Sequence, residues 1–102
     1  MSNTNPTTKL SGFKSRDYVR ITCLEYDAIL IIDEILEDRI TSSCDCHKGG
    51  NSWEWMFSPL GANWFHPEDR DVKKASDTDI EKFNKLMAKA GYRLINGKPE
   101  TM

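Results

Sequence analysis

The segment Ser52–Phe65, reading Ser-Trp-Glu-Trp-Met-Phe-Ser-Pro-Leu-Gly-Ala-Asn-Trp-Phe, holds all three tryptophans and two of the four phenylalanines of a 102-residue chain. A chain of this length forms one domain around one core, and it must bury its largest apolar side chains to fold at all. The segment is therefore expected in or against that core. Trp53, Trp55 and Phe57 alternate with Glu54 and Met56, the two-residue period of a strand with one apolar face. Pro59 and Gly61 interrupt it, and Asn63 to His66 read as a return strand closed by Pro67, giving an aromatic hairpin. Because Trp64 and Phe65 are consecutive, one ring of the pair must face outward. With His66 beside it, Trp64 is the candidate contact anchor.

Tyr18 to Leu24 alternates apolar with polar residues and predicts another strand, with Val19, Ile21 and Cys23 inward. Residues 25–40 contain the run Ile29-Leu-Ile-Ile, which suits a strand, but their periodicity favours a helix. At 100° per residue, Leu24, Ala28, Ile29, Ile31, Ile32, Ile35, Leu36 and Ile40 share one half of the wheel. Tyr26, Asp27, Asp33, Glu34, Glu37 and Asp38 share the other, and Leu30 is the apolar residue that falls among them. Glu25 and Arg39 carry the signs that a helix dipole favours at its two ends. Thr41 to Asn51 reads as a polar loop, and Glu68 to Ala75 as a charged connection. Asp77 opens the clearest helix, with Thr78 and Glu81 at capping-box spacing, an inward stripe of Ile80, Phe83, Met87 and Ala90, and Gly91 as its stop. Tyr92 to Ile95 predicts a last short strand. The expected fold is α+β, a small mostly antiparallel sheet with two helices packed on one face. Residues 1–15 are expected as a flexible tail, 16–97 as the domain and 98–102 as a short C-terminal tail.

The net charge of −2 argues against a general, salt-driven nucleic-acid binder. Its distribution is lopsided: residues 1–69 carry 6 basic and 11 acidic side chains, and residues 70–102 carry 8 and 5. Such asymmetry suits an internal charge match or a charged partner. The N-terminal residues show no apolar signal segment, and the longest apolar run, Ala28 to Ile32, is far shorter than the roughly 20 residues that span a bilayer. The expectation is a cytoplasmic protein without membrane contact, in which Cys23, Cys44 and Cys46 stay reduced.

Cys44, Cys46, His47 and His66 have the ligand chemistry that zinc prefers. Cys-x-Cys-His is not an ordinary zinc spacing, however, and adjacent Cys46 and His47 are awkward ligands for one ion. No metal and no cofactor is expected, with a zinc-stabilised domain as a lesser alternative. As a Cys–His nucleophile pair the same residues lack a placed base and an oxyanion donor, so no catalytic residue and no enzymatic activity is expected. Trp53 and Trp55 could stack bases or sugars, though a core role is the plainer reading. Lys82, Lys85 and Lys89, with Lys73, Lys74 and Arg93, could meet phosphates, which makes a small nucleic-acid-binding module the first alternative.

The helix expected over 25–40 supplies the remaining group. Asp27, Asp33, Glu34, Glu37 and Asp38 crowd one face with no interleaved base. Like charges four residues apart slightly destabilise a helix, and that cost suggests a use; the plain alternative is a solvated face that aids solubility. With Tyr26 and Leu30 in their midst and Trp64 as anchor, these acids form the candidate docking surface for a basic patch on a larger protein, such as a nucleic-acid-handling enzyme. In size, acidity and lack of motifs the chain resembles the small inhibitor proteins of phages and mobile elements and the bacterial immunity proteins, a likeness of character with no motif behind it. The expected function is a non-enzymatic, protein-binding inhibitor module.

Overall fold

The computed structural model describes residues 12–23, 26–36, 39–49, 54–65 and 71–102. Its elements are β1 (Tyr18–Thr22), β2 (Tyr26–Ile35), β3 (Arg39–Gly49), β4 (Met56–Ser58), β5 (Ala62–Phe65), β6 (Asp71–Lys74), α1 (Asp77–Lys89), β7 (Tyr92–Ile95) and β8 (Lys98–Thr101). Among the described residues, one helix and eight strands, with 57% strand against 17% helix, make this a mostly-sheet fold. It is not the α+β arrangement of two helices on a sheet that the sequence suggests. The main sheet has the order β4-β3-β2-β1-β6, with β5 also pairing β3; β7 and β8 form a separate hairpin.

Residues 26–35 are a strand, and the error in the helical reading has a physical cause. β2 lies between β1 and β3, and both of its faces are covered, so Ala28, Ile29, Leu30, Ile31 and Ile32 are all at most 2% exposed. A strand buried on both sides shows a continuous apolar run instead of alternation. Two bulges then shift its parity. Ile31 faces Cys44 but Ile32 faces Ser42, leaving Ser43 as an extra residue on β3; Glu34 faces Thr41, leaving Asp33 as an extra residue on β2. After the second bulge Ile35 rejoins the face of Leu30 and Ile32. Apolar residues at 28, 29, 31, 32 and 35 thereby imitate a helical stripe.

The sheet separates two cores. On its first face Val19, Ile21, Leu30, Ile32 and Ile40 are buried, with Phe13, Tyr26, Ile35, Trp64 and Val72 packed against them. On its second face Ile29, Ile31, Cys44 and Cys46 meet Phe83 and Met87 of α1, bordered by Tyr18, Trp55, Phe57, Tyr92 and Leu94. Phe83 stands edge-on to Tyr18 at 5.4 Å and to Phe57 at 5.8 Å between ring centroids, the arrangement that the ring quadrupoles favour.

The polar loop expected over 41–51 is largely strand β3, because its buried polar groups find partners. The Trp64 indole N–H donates to Ser42 Oγ at 3.1 Å, and Ser43 Oγ donates to the Gly97 carbonyl at 2.9 Å. β3 pairs with β4 through its C-terminal half and with β5 through its N-terminal half. Between β4 and β5, Gly61 passes so close that a Cβ there would lie 2.8 Å from the Ser42 carbonyl oxygen. Residues 71–74, expected as a connection, form β6 on the edge beside β1. Residues 98–101, expected as tail, form β8, joined to β7 by an Asn96-Gly97 turn in which both residues have positive φ, 54° and 78°. That is the backbone of the tight hairpin turn favouring Asn-Gly.

The second expected helix is present, and its cap lies two residues before Thr78. Ser76 is the N-cap: its hydroxyl accepts from the Asp79 N–H, and the Asp79 carboxylate accepts from the Ser76 N–H, each at 3.1 Å. Gly91 follows the C-cap with φ of 92°, the left-handed stop that glycine adopts without strain. No helix among the described residues is long and apolar enough to cross a membrane.

Candidate binding groove beside Trp55

Helix α1 crosses the second face of the sheet, and its amphipathic sequence dictates how it sits. Phe83 and Met87 face down, while Glu81, Lys82, Lys85 and Lys89 remain exposed. Its N-terminal turn is fastened to β1, where Arg20 Nη1 donates to Asp79 Oδ1 at 2.8 Å and Nη2 lies 3.7 Å from Asp27 Oδ2. Partial burial pushes the Asp79 carboxyl up, but the Ser76 N–H, the Arg20 charge and the Ser76 hydroxyl together hold it below the usual value. It stays ionised as the partner of Arg20.

Trp55, just before β4, flanks this helix. The Lys82 ammonium lies 4.6 Å from its ring centroid, the Arg20 guanidinium carbon 5.3 Å and the Lys48 ammonium 5.8 Å. All three are within the roughly 6 Å at which a cation feels the ring quadrupole. Along the helix the same ring opens into a groove of about 600 Å³, with Trp55, Leu86 and Thr78 among its walls and Lys82, Lys85 and Lys89 in a row. Glu54 and Glu81 also line it, and Glu81 reaches Lys85 at 4.0 Å.

The described members of the docking surface expected from the acids are not brought together. Leu30 is fully buried in the first core, and Tyr26 and Trp64 pack against that core with their rings edge-to-face, 5.9 Å between centroids. Trp64 is half-buried with its indole N–H engaged by Ser42. Asp27 faces Arg20, and Asp33, at the bulge, lies 3.3 Å from Lys98. Glu34 is exposed near the opposite end of β2. Glu37 and Asp38 lie outside the described residues, as do Trp53 and His66.

The cysteine–histidine cluster is divided by strand alternation. Cys44 and Cys46 point into the second core beneath Phe83, whereas Asp45 and His47 point to the other face, with His47 Nδ1 2.9 Å from Asp45 Oδ2. Burial raises the thiols to about 11 for Cys44 and about 12 for Cys46, so both remain protonated and neither is a ready ligand or nucleophile. Among the described residues, no three His, Cys, Asp or Glu side chains converge on a metal position.

The lysine stripe of α1 was legible as a row at i, i+3 and i+7. Its partners were not. Arg20, Lys48 and Trp55 come from β1, β3 and the approach to β4, and long-range strand pairing brings them to one place. Lys73 stands beside Arg20 in the β1–β6 ladder, and Arg93 lies exposed on β7. No protein-family model, no curated protein and no solved structure matches the chain, so the geometry of this groove carries the functional reading.

Proposed function

We propose that the protein is a binding module that takes an anionic partner into the groove between Trp55 and α1. The observation that carries this reading is the set of three cationic groups around one tryptophan ring, continued by Lys85 and Lys89 along the helix. Lysines held near one another repel, and their ammonium groups are strongly hydrated; an anion placed among them relieves both costs. The overall charge of −2 acts here mainly through nearby acids, because exposed charges are largely screened beyond about 10 Å at 0.1 M salt. Of these acids, Asp27 and Asp79 are matched by Arg20, and Glu81 by Lys85. The docking of an acidic face on a basic protein loses its main support with the helix that was to carry the acids.

Retention on immobilised heparin, a polyanion, tests the reading. The wild-type chain should be retained at 50 mM salt, and the Lys82→Glu, Lys89→Glu double variant should flow through with unchanged circular dichroism, since both lysines are exposed. Flow-through of the wild type, or elution of both at one salt concentration, would refute it.

A further inference from the structure

Resting on that reading, we infer that the groove's occupant is single-stranded nucleic acid. Three features of the groove match three parts of a nucleotide. The Trp55 ring lines the groove beneath the exposed Lys82 side chain, and a base that displaces this side chain meets a flat aromatic surface of the kind on which unpaired bases stack irrespective of sequence. Lys82, Lys85 and Lys89 occupy successive turns on one face of α1, with neighbours about 5–6 Å apart at Cβ, which suits the phosphates of a strand running along the helix. Glu54 and Glu81 line the groove beside them, and a carboxylate accepts hydrogen bonds from the exocyclic amino group of a base such as cytosine. An acidic peptide of aspartates and glutamates would have no flat group for the ring and no amino group for the two carboxylates. A duplex keeps its bases stacked on one another and could not lay one on Trp55.

Fluorescence anisotropy with an end-labelled eight-nucleotide oligodeoxycytidylate tests this, beside a labelled peptide of eight glutamates and a labelled duplex. The oligonucleotide should bind more tightly than the peptide and the duplex. If three lysines each neutralise one phosphate, its affinity should fall about 20-fold between 50 and 200 mM salt, from a slope of about −0.7 per contact. Lys82→Gln should lower the slope by about a third. Trp55→Ala should weaken binding about tenfold or more, the scale of one lost stack, and Trp55→Phe should restore most of it. Trp55 borders the second core, so a melting curve accompanies Trp55→Ala; should that variant unfold, the slope of Lys82→Gln decides. Equal affinity for the glutamate peptide, or unaltered slopes in Lys82→Gln, would overturn the inference while heparin retention left the anionic groove standing. Loss of both heparin retention and oligonucleotide binding in the wild type would overturn both.

Discussion

Leu30→Ala separates the observed sheet from the helix that the sequence suggests. On an amphipathic helix over residues 25–40, Leu30 faces water and its truncation costs almost nothing. In the sheet it is fully buried on the central strand, opposite Val19 and among Ile21, Ile32 and Ile40. Truncation removes three carbons, about 2.4 kcal/mol of transfer free energy at ~0.8 kcal/mol each. β2 is hydrogen-bonded to a neighbour on each side, so its backbone cannot close over the void. A residual cavity of about 50 Å³ adds about 1 kcal/mol. The expected loss is about 3.5 kcal/mol, a large part of the 5–15 kcal/mol that stabilises a typical domain. In urea, with an m-value of about 1.5 kcal/mol per molar, the midpoint should fall by about 2 M. A fall of less than about 0.5 M at unchanged m would place Leu30 at the surface and refute the buried central strand.

Two further outcomes follow from the buried groups of β3. Burial pushes the Asp45 carboxyl above its usual value despite the opposing pull of His47, so the folded protein holds a proton there that the unfolded chain has already released. Stability should therefore fall as pH rises from about 4 through the raised folded value, then level off; Asp45→Asn should gain in Tm over the wild type across that interval, and a difference that does not grow with pH would contradict the assignment. The Cys44 and Cys46 thiols are buried and protonated at neutral pH while Cys23 is partly exposed, so brief treatment with a maleimide at pH 7 should add one adduct to the native protein and three in denaturant, read by intact mass; rapid addition of two or three in the native state would contradict the second core.

Local signals were legible where one element carried them. The helix from Asp77, its inward Phe83 and Met87, its glycine stop and the strand at Tyr18 all follow from residues within a few positions of one another. The errors arose where a partner far along the chain decides. Ser42, Ser43 and Asp45 look like loop because their polarity is satisfied by Trp64, Gly97 and His47, and only the first two of those partners are distant in sequence. Asp27 reads as part of an acidic patch until Arg20 is placed across the β1–β2 pair. The groove needed the same long-range information, since periodicity gives the lysines of α1 but cannot bring Trp55 to them.

The paired bulges at Asp33 and Ser43 are the places at which the central hairpin can change its length. Ile40 faces the first core, although Cys44 and Cys46 face the second, because Ser43 lies outside the alternation. Each bulge is one residue that the facing strand does not match, so deleting Ser43 or Asp33 itself restores plain alternation and leaves Ser42, Ile40 and Ile35 on the faces they hold now. Deleting one residue from the regular run Ala28–Ile31 would instead turn the side chains beyond it to the opposite face. Homologous chains should therefore accept the loss of a bulge residue more readily than the loss of a residue from that run.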